Sequence, residues 1–433
     1  MVAAGELPCG QRECEGDVMR VPELPYELRP NKVEMVQMRG INWSDALQDG
    51  DMRDSLNLSA RRWPYITTRK GRVKQEGYSN ATALTAWDKL VAVQGTSLLY
   101  DGQAVGTVTA GRKQFAMVNT KMVIWPDKAY LDINDKQIKP LAAELTGSKA
   151  TFTKNKMTVS GWPDLTAKFK AGDGITISGC STNTANNKDI VIKAITATEI
   201  TVADNTFTEA TEESTAIKLE RKIPDLDYIC ESENRLWGCD SKTQTIYASA
   251  LGDPTNFYVY EGLSTDAYTL AVGTEGKFTG CCKLSSSVLF WKETKLHKML
   301  GSYPTEYALY TYEMEGLQEG CHKSQQVIND TLFYKSPHGV YAYSGGTPTL
   351  ISDNFGEKEF TDAVSGNDGD SYYLSVKDGE AHHLLVYETK TGIWVLEDGT
   401  EAVNFARLGR KLYMLDGAVC PHVRDAERKE SIF

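Results

Sequence analysis

Apolar and polar positions alternate along most of this chain in short runs separated by turn residues, which is the pattern of β-strands with one or both faces buried. No stretch holds apolar residues at i, i+3, i+4 and i+7 long enough for a sizeable helix. The segment Tyr372–Gly399 shows the pattern well. It reads as three strands punctuated by Lys377-Asp378-Gly379 and Lys390-Thr391-Gly392, both suited to tight hairpin turns. Trp237 and Trp394 fall inside such runs, where a large ring packs between neighbouring sheets. The pattern predicts an almost entirely β chain.

The runs also repeat. A hairpin-sized unit opens with Asn or Asp, continues through Leu and other apolar residues, and closes on Ile/Leu-Tyr. It is clearest at Glu233–Tyr247, with looser copies at Trp87–Tyr100, Asn119–Tyr130, Ser286–His297, Asn329–Tyr341, Asp370–Tyr387 and Gly409–Asp416. Repeats of this spacing in a β-rich chain signal propeller blades. The expected fold class is therefore all-β: a β-propeller of six or seven blades, with its first blades in 81–145 and the rest in 223–433. The repeat is broken over 146–222 by a Thr- and Ala-rich stretch with strand-like runs at Phe169–Ser178, Asp189–Ile195, Glu199–Val202 and Thr215–Leu219. Their apolar centre is expected at Phe169, Ile175, Ile177, Val191, Ile200 and Val202, as a small inserted β-barrel or sandwich. Pro8, Pro22, Pro25 and Pro30 block helices and sheet interiors at the start. Residues 1–80 are expected to form an extended arm and a ring-closing segment anchored at Trp63-Pro64.

Composition narrows the function. The net charge of −11 argues against gripping duplex DNA through its phosphates. No basic start followed by an apolar run marks a secretory leader, and no apolar stretch approaches the ~18 residues of a membrane span. Nine cysteines without a compact framework suggest folding in a reducing cytoplasm.

Catalytic signatures are missing. There is no nucleophile elbow, P-loop or dinucleotide fingerprint, and Gly273–Lys277 has the wrong spacing for a phosphate cradle. His382-His383 and Cys281-Cys282 each sit in a strand, so their side chains point to opposite faces and share neither a metal nor a disulfide. Asp368/Asp370 and Asp49/Asp51 read as solvated turn tips. One strongly basic run stands out: Arg61, Arg62, Arg69, Lys70, Arg72 and Lys74, interleaved with Trp63 and Tyr65. In so acidic a chain, this run is expected to dock on an acidic neighbouring subunit rather than on nucleic acid. Arg61, Arg62, Trp63, Arg69 and Arg72 are the candidate contact residues.

The stretch Tyr228–Gly262 resembles the β-propeller hub or nozzle proteins of short-tailed bacteriophages, also called DNA-stabilisation proteins. Asn234, Leu236, Trp237, Tyr247, Asp253, Pro254 and Phe257 carry the resemblance, and Asn57–Arg72 is similar to an N-terminal stretch of the same proteins. The resemblance implies a non-enzymatic virion protein without cofactors. It would assemble in the bacterial host cytoplasm into a homo-oligomeric, six-fold ring of the tail. Its partners would be the portal or adaptor and other tail proteins. It would retain packaged DNA and pass it without sequence-specific binding or membrane insertion. The alternative is a receptor- or glycan-binding tail component, which exposed aromatics on the insertion, Phe152 and Trp162, would favour.

Overall fold

Two-residue turns set the geometry of the repeat. Glu233 and Asn234 have φ of 50° and 56°, and Asn329 and Asp330 have φ of 49° and 61°. Two successive left-handed residues make the turn whose twist matches a right-handed hairpin. Each of these pairs joins the first two strands of a small antiparallel sheet.

The computed structural model describes residues 38–78, 80–213, 216–417 and 421–424. The proline-rich start, Cys9, Cys14, Cys420 and the charged run after Arg424 lie outside the described residues. Within them the chain is all-β, and its helical pieces are four three-residue 3-10 turns. The seven predicted hairpin units fall one in each of seven sheets. Sheet I spans 81–107, II 114–140, III 228–271, IV 280–313 and V 326–350, each four strands in sequence order. Sheet VI contains the four strands of 361–398, and sheet VII the strands Ala402–Leu408, Lys411–Asp416 and Pro421–Arg424.

Each sheet packs on the next. Val93 and Tyr100 of sheet I meet Met122 and Leu131 of II, and Trp125 of II meets Leu236 of III. Trp237 of III packs on Phe290 of IV, and Trp291 of IV on Tyr334 of V. Phe333 of V meets Tyr372 of VI, and Tyr373 of VI meets Leu412 of VII. Leu415 of VII then returns to Leu84 and Leu99 of sheet I. The array is closed. Strand Leu90–Gln94 shows why its sequence is continuously apolar: Val91 and Val93 face sheet II while Leu90 and Ala92 face sheet VII. Each such large side chain, fully buried, contributes about 1.5–3 kcal/mol.

From residue 38 onward, the segment read as an arm is a belt around the outer edges of sheets VI and VII. Gly40–Ile41 pairs in parallel with sheet VI at Trp394 and carries Asp51–Met52 beyond it. Strand Arg72–Lys74 becomes the fourth strand of sheet VII, so that sheet joins a strand preceding sheet I to the last described strand. Between them, Leu58–Arg62 and Tyr65–Thr68 form a separate hairpin.

Between sheets II and III, strands from Ala143–Gly147 to Ile217–Arg221 form a four-stranded and a five-stranded sheet around one core. Phe169, Ile175, Ile177, Ile200 and Val202 lie in that core, but Val191 does not; Ile190 and Ile192 take its place. A one-residue slip in a strand exchanges its two faces.

Candidate functional site

The belt's arginines turn inward. Arg61 donates through Nε to Glu388 Oε1 at 3.2 Å, and through Nη2 to Ser371 Oγ at 2.7 Å, Tyr373 Oη at 3.0 Å and the Asp368 carboxylate. Arg69 reaches Asp398 at 3.2 Å, and Arg72 bridges Glu397 at 2.8 Å and Asp398 at 2.9 Å. All four carboxylates belong to sheet VI or its turns. Glu388 and Glu397 are themselves buried, so each needs a cation at hand. The acidic partner expected on a neighbouring subunit is thus supplied by the same chain. Asp368 is correspondingly no solvated tip. Burial raises its pKa, but the charge and hydrogen bond of Arg61 and two backbone N–H donors outweigh this and hold it below the usual carboxylate value.

This clasp leaves the hairpin tip standing out. Trp63 packs against the apolar cluster shared by sheets VI and VII, while Arg62 is exposed. Tyr65 is 74% exposed and Ile66 42%. The candidate contact residues therefore divide: Arg61, Arg69, Arg72 and Trp63 hold the hairpin, and Arg62 lies beside the apolar pair it displays.

The motif in sheet III is a joint rather than a ligand site. Leu236 and Phe257 are fully buried between sheets II and III, with Tyr247 packed beside them, and Trp237 fills the opposite side against sheet IV. Asn234 Oδ1 accepts from Asn119 N–H at 2.8 Å and so links the turns of neighbouring sheets. The Asp253-Pro254 turn caps itself through Thr255, whose Oγ1 donates to Asp253 at 2.7 Å, and Pro254 is buried. Asp253 also receives Lys121 of sheet II at 3.3 Å and Lys170 of the insertion at 2.5 Å.

Two neighbouring residues do more than their positions in the sequence suggest. Arg235, fully buried, donates to the carbonyls of Ser249, Ser264 and Asp266 and so fastens the long loop of sheet III. Asn256 donates to Gly172 O at 2.8 Å and accepts from Gly174 N–H at 3.2 Å, joining loop and insertion like an added strand.

Other candidates resolve simply. Cys281 faces the cluster between sheets III and IV, and Cys282 packs on that between IV and V. His382 lies 3.8 Å from Glu401 and His383 3.8 Å from Asp378, on separate faces. Among the described residues, no group of three His, Cys, Asp or Glu could hold a metal ion. Phe152 is buried in the insertion's core and Trp162 packs on it.

No protein-family model matches the chain, and no curated protein matches it by sequence. Among solved structures it is similar to the computationally designed Ika8 protein, at 11% identity and a TM-score of 0.41, over 82% of this chain and 99% of that one. It is also similar to BamB from Moraxella catarrhalis, at 10% identity and a TM-score of 0.35, over 83% and 98%. A phage phi92 endosialidase aligns at 8% identity and a TM-score of 0.29, over 90% and 75%. These are distant likenesses to β-propeller-like proteins; the closed array of sheets stands on its own strand pairing and core contacts.

Proposed function

We propose that this chain is a non-enzymatic structural protein of a tailed phage, a tail hub or nozzle subunit. In this reading the seven sheets are the blades of a seven-bladed propeller, and 143–221 is an inserted β-sandwich. Copies assemble into a six-fold ring that continues the DNA channel, holds packaged DNA and lets it out on infection. The ring contacts the portal or adaptor and other tail proteins, and an acidic wall keeps the passing DNA from adhering.

One observation carries the reading. The hairpin of 58–68 is pinned through Arg61 and the flanking Arg69 and Arg72 to buried and half-buried carboxylates, yet its tip displays Tyr65 and Ile66 to solvent. An exposed aromatic on a rigid base is a good protein contact, because little conformational entropy is lost on binding. The glycan-binding alternative looked to exposed rings on the insertion. With Phe152 buried and Trp162 packed on the same core, it loses that support.

The test is the mass of the purified chain by native mass spectrometry, with negative-stain images. A six-fold ring with a central hole is expected. Tyr65→Ser with Ile66→Ser should leave monomers whose melting temperature is unchanged. Monomers at all concentrations, also with the portal present, would overturn the reading.

A further inference from the structure

The first strands of the sheets converge on a cavity of about 210 Å³. Thr85 of sheet I, Gln114 of II, Tyr228 of III, Cys281 of IV and Phe405 of VII line it, with His322, Lys323 and Gln325 of the segment leading into sheet V. No carboxylate lines it, whereas two lysines do, Lys113 and Lys323.

The two lysines differ. Lys113 has its counter-ion: Asp127 lies at 2.5 Å and Thr109 Oγ1 at 2.6 Å. Lys323 Nζ is shut off from solvent and has no hydrogen-bond partner. Other buried lysines of the protein are satisfied. Lys292 donates to Gln244 and to the carbonyls of Thr274 and Glu275, and Lys335 to Gln318 and Ser336. An ammonium without a partner is expensive to bury, and folds seldom keep one unless something pairs with it.

The local field points the same way. Burial and the nearby Arg112 lower the Lys323 ammonium to about 8, which leaves it charged at neutral pH. Burial, then Lys323 and Arg112, hold the His322 imidazole at about 4 and therefore neutral. Arg112 is exposed and makes no ion pair with any described residue. The cavity thus presents net positive charge inside a chain of net charge −11.

We propose that this cavity binds a small oxyanion of the phosphate or carboxylate class, held by Lys323 and favoured by the nearby charge of Arg112. The space admits one such group, and Lys323, whose side chain lines it, has unused donors that a turn of its ammonium brings to the bound anion. The inference is independent of the place proposed in a phage tail, since the cavity lies within a single chain and ring assembly neither requires nor implies it.

The probe is inorganic phosphate, titrated by calorimetry and thermal shift at constant ionic strength against chloride, with acetate as a second anion. Wild type should show saturable binding with one site and a rise in melting temperature beyond that in chloride. Lys323→Met should weaken phosphate at least about tenfold, and Arg112→Gln should weaken it less, as expected for losing one buried and one exposed charge contact. In phosphate-free buffer Lys323→Met should melt no lower than wild type, because an apolar side chain replaces an unpaired charge. Its disadvantage should appear only as phosphate is added. Failure of phosphate and acetate to bind, equal binding by Lys323→Met, or a lower melting point for that variant without phosphate would each overturn the proposal.

Discussion

Lys170 Nζ lies 2.5 Å from the Asp253 carboxylate, and this contact ties the 143–221 sheets to the ring. The same carboxylate accepts from Thr255 and pairs with Lys121, so one acid joins sheet II, the loop of sheet III and the insertion. Burial opposes its ionisation, but the Lys170 hydrogen bond and both lysine charges prevail and hold it well below its ordinary value. A depressed carboxylate stabilises above its unfolded pKa and loses that contribution as pH falls through the folded one. Asp253→Asn should therefore cost about 1.5–3 kcal/mol at pH 7. The cost should shrink below about pH 4, where the unfolded carboxylate becomes protonated. Faster amide exchange in 170–174, measured on the variant at pH 7, should accompany it; unchanged exchange would show that Lys170 adds nothing.

Gly174 marks how closely the insertion approaches. A Cβ there would lie 2.1 Å from Tyr258 O, which is backbone and cannot swing aside. Gly174→Ala should destabilise by about 1–3 kcal/mol, the usual cost of overpacking. Gly273 has open space around it and no left-handed φ, so Gly273→Ala should be neutral or gain up to about 1 kcal/mol. Urea denaturation of the pair checks this, and equal effects would mean that the insertion shifts freely.

The periodicity made much of this legible. The repeated Asn-x turn with alternating residues located seven hairpins, and each stands in its own sheet, because turn chemistry and period 2 are local properties of the chain. The partners of Arg61 were not legible. Glu388 is more than three hundred positions away, and only closure of the array brings the two together. A basic run looks like a docking patch when its counter-ions are that distant in sequence. Lys323 was missed for the opposite reason: nothing local distinguishes a lysine that faces a cavity from one that faces water.

Arg61 carries a sharper prediction. Replacing it by Met leaves Glu388 and Asp368 without a cation, Glu388 keeping the Ser371 hydroxyl and Asp368 the Tyr373 hydroxyl and two backbone N–H donors. Loss of one partner of a buried pair costs about 3–5 kcal/mol, and the partial exposure of Arg61 reduces this to about 2–3 kcal/mol. The triple variant Arg61→Met, Glu388→Gln, Asp368→Asn should recover most of the loss, because it removes the uncompensated charge. A double-mutant cycle read from denaturation curves checks this. Additive losses would mean the clasp contributes through packing alone.

His297 gives the pH dependence its direction. Its side chain is fully buried in sheet IV, with Nε2 at 3.0 Å from Thr274 Oγ1 and Nδ1 at 2.8 Å from Thr311 Oγ1. Two hydroxyls can satisfy a neutral ring, one by donating and one by accepting. Burial, helped by the charges of Lys292 and Lys295, lowers its pKa to about 4 from an ordinary 6.5. Between those values the unfolded imidazole binds a proton that the folded one refuses, so stability rises with pH through this window and is complete above it. Acidification from pH 7 to 4 should cost on the order of 3 kcal/mol through His297, and His322, lowered to about 4 as well, adds a contribution of the same sign. His297→Gln keeps one hydrogen bond but has no proton to bind. It should be less stable than wild type at pH 7 and should lose only part of the slope, the remainder belonging to His322, His383 and the depressed carboxylates. Denaturation free energies at pH 7, 5.5 and 4.5 for both proteins decide it. A slope unchanged by the substitution would mean that His297 titrates alike in the folded and unfolded chains, which a fully buried ring between two threonines does not allow.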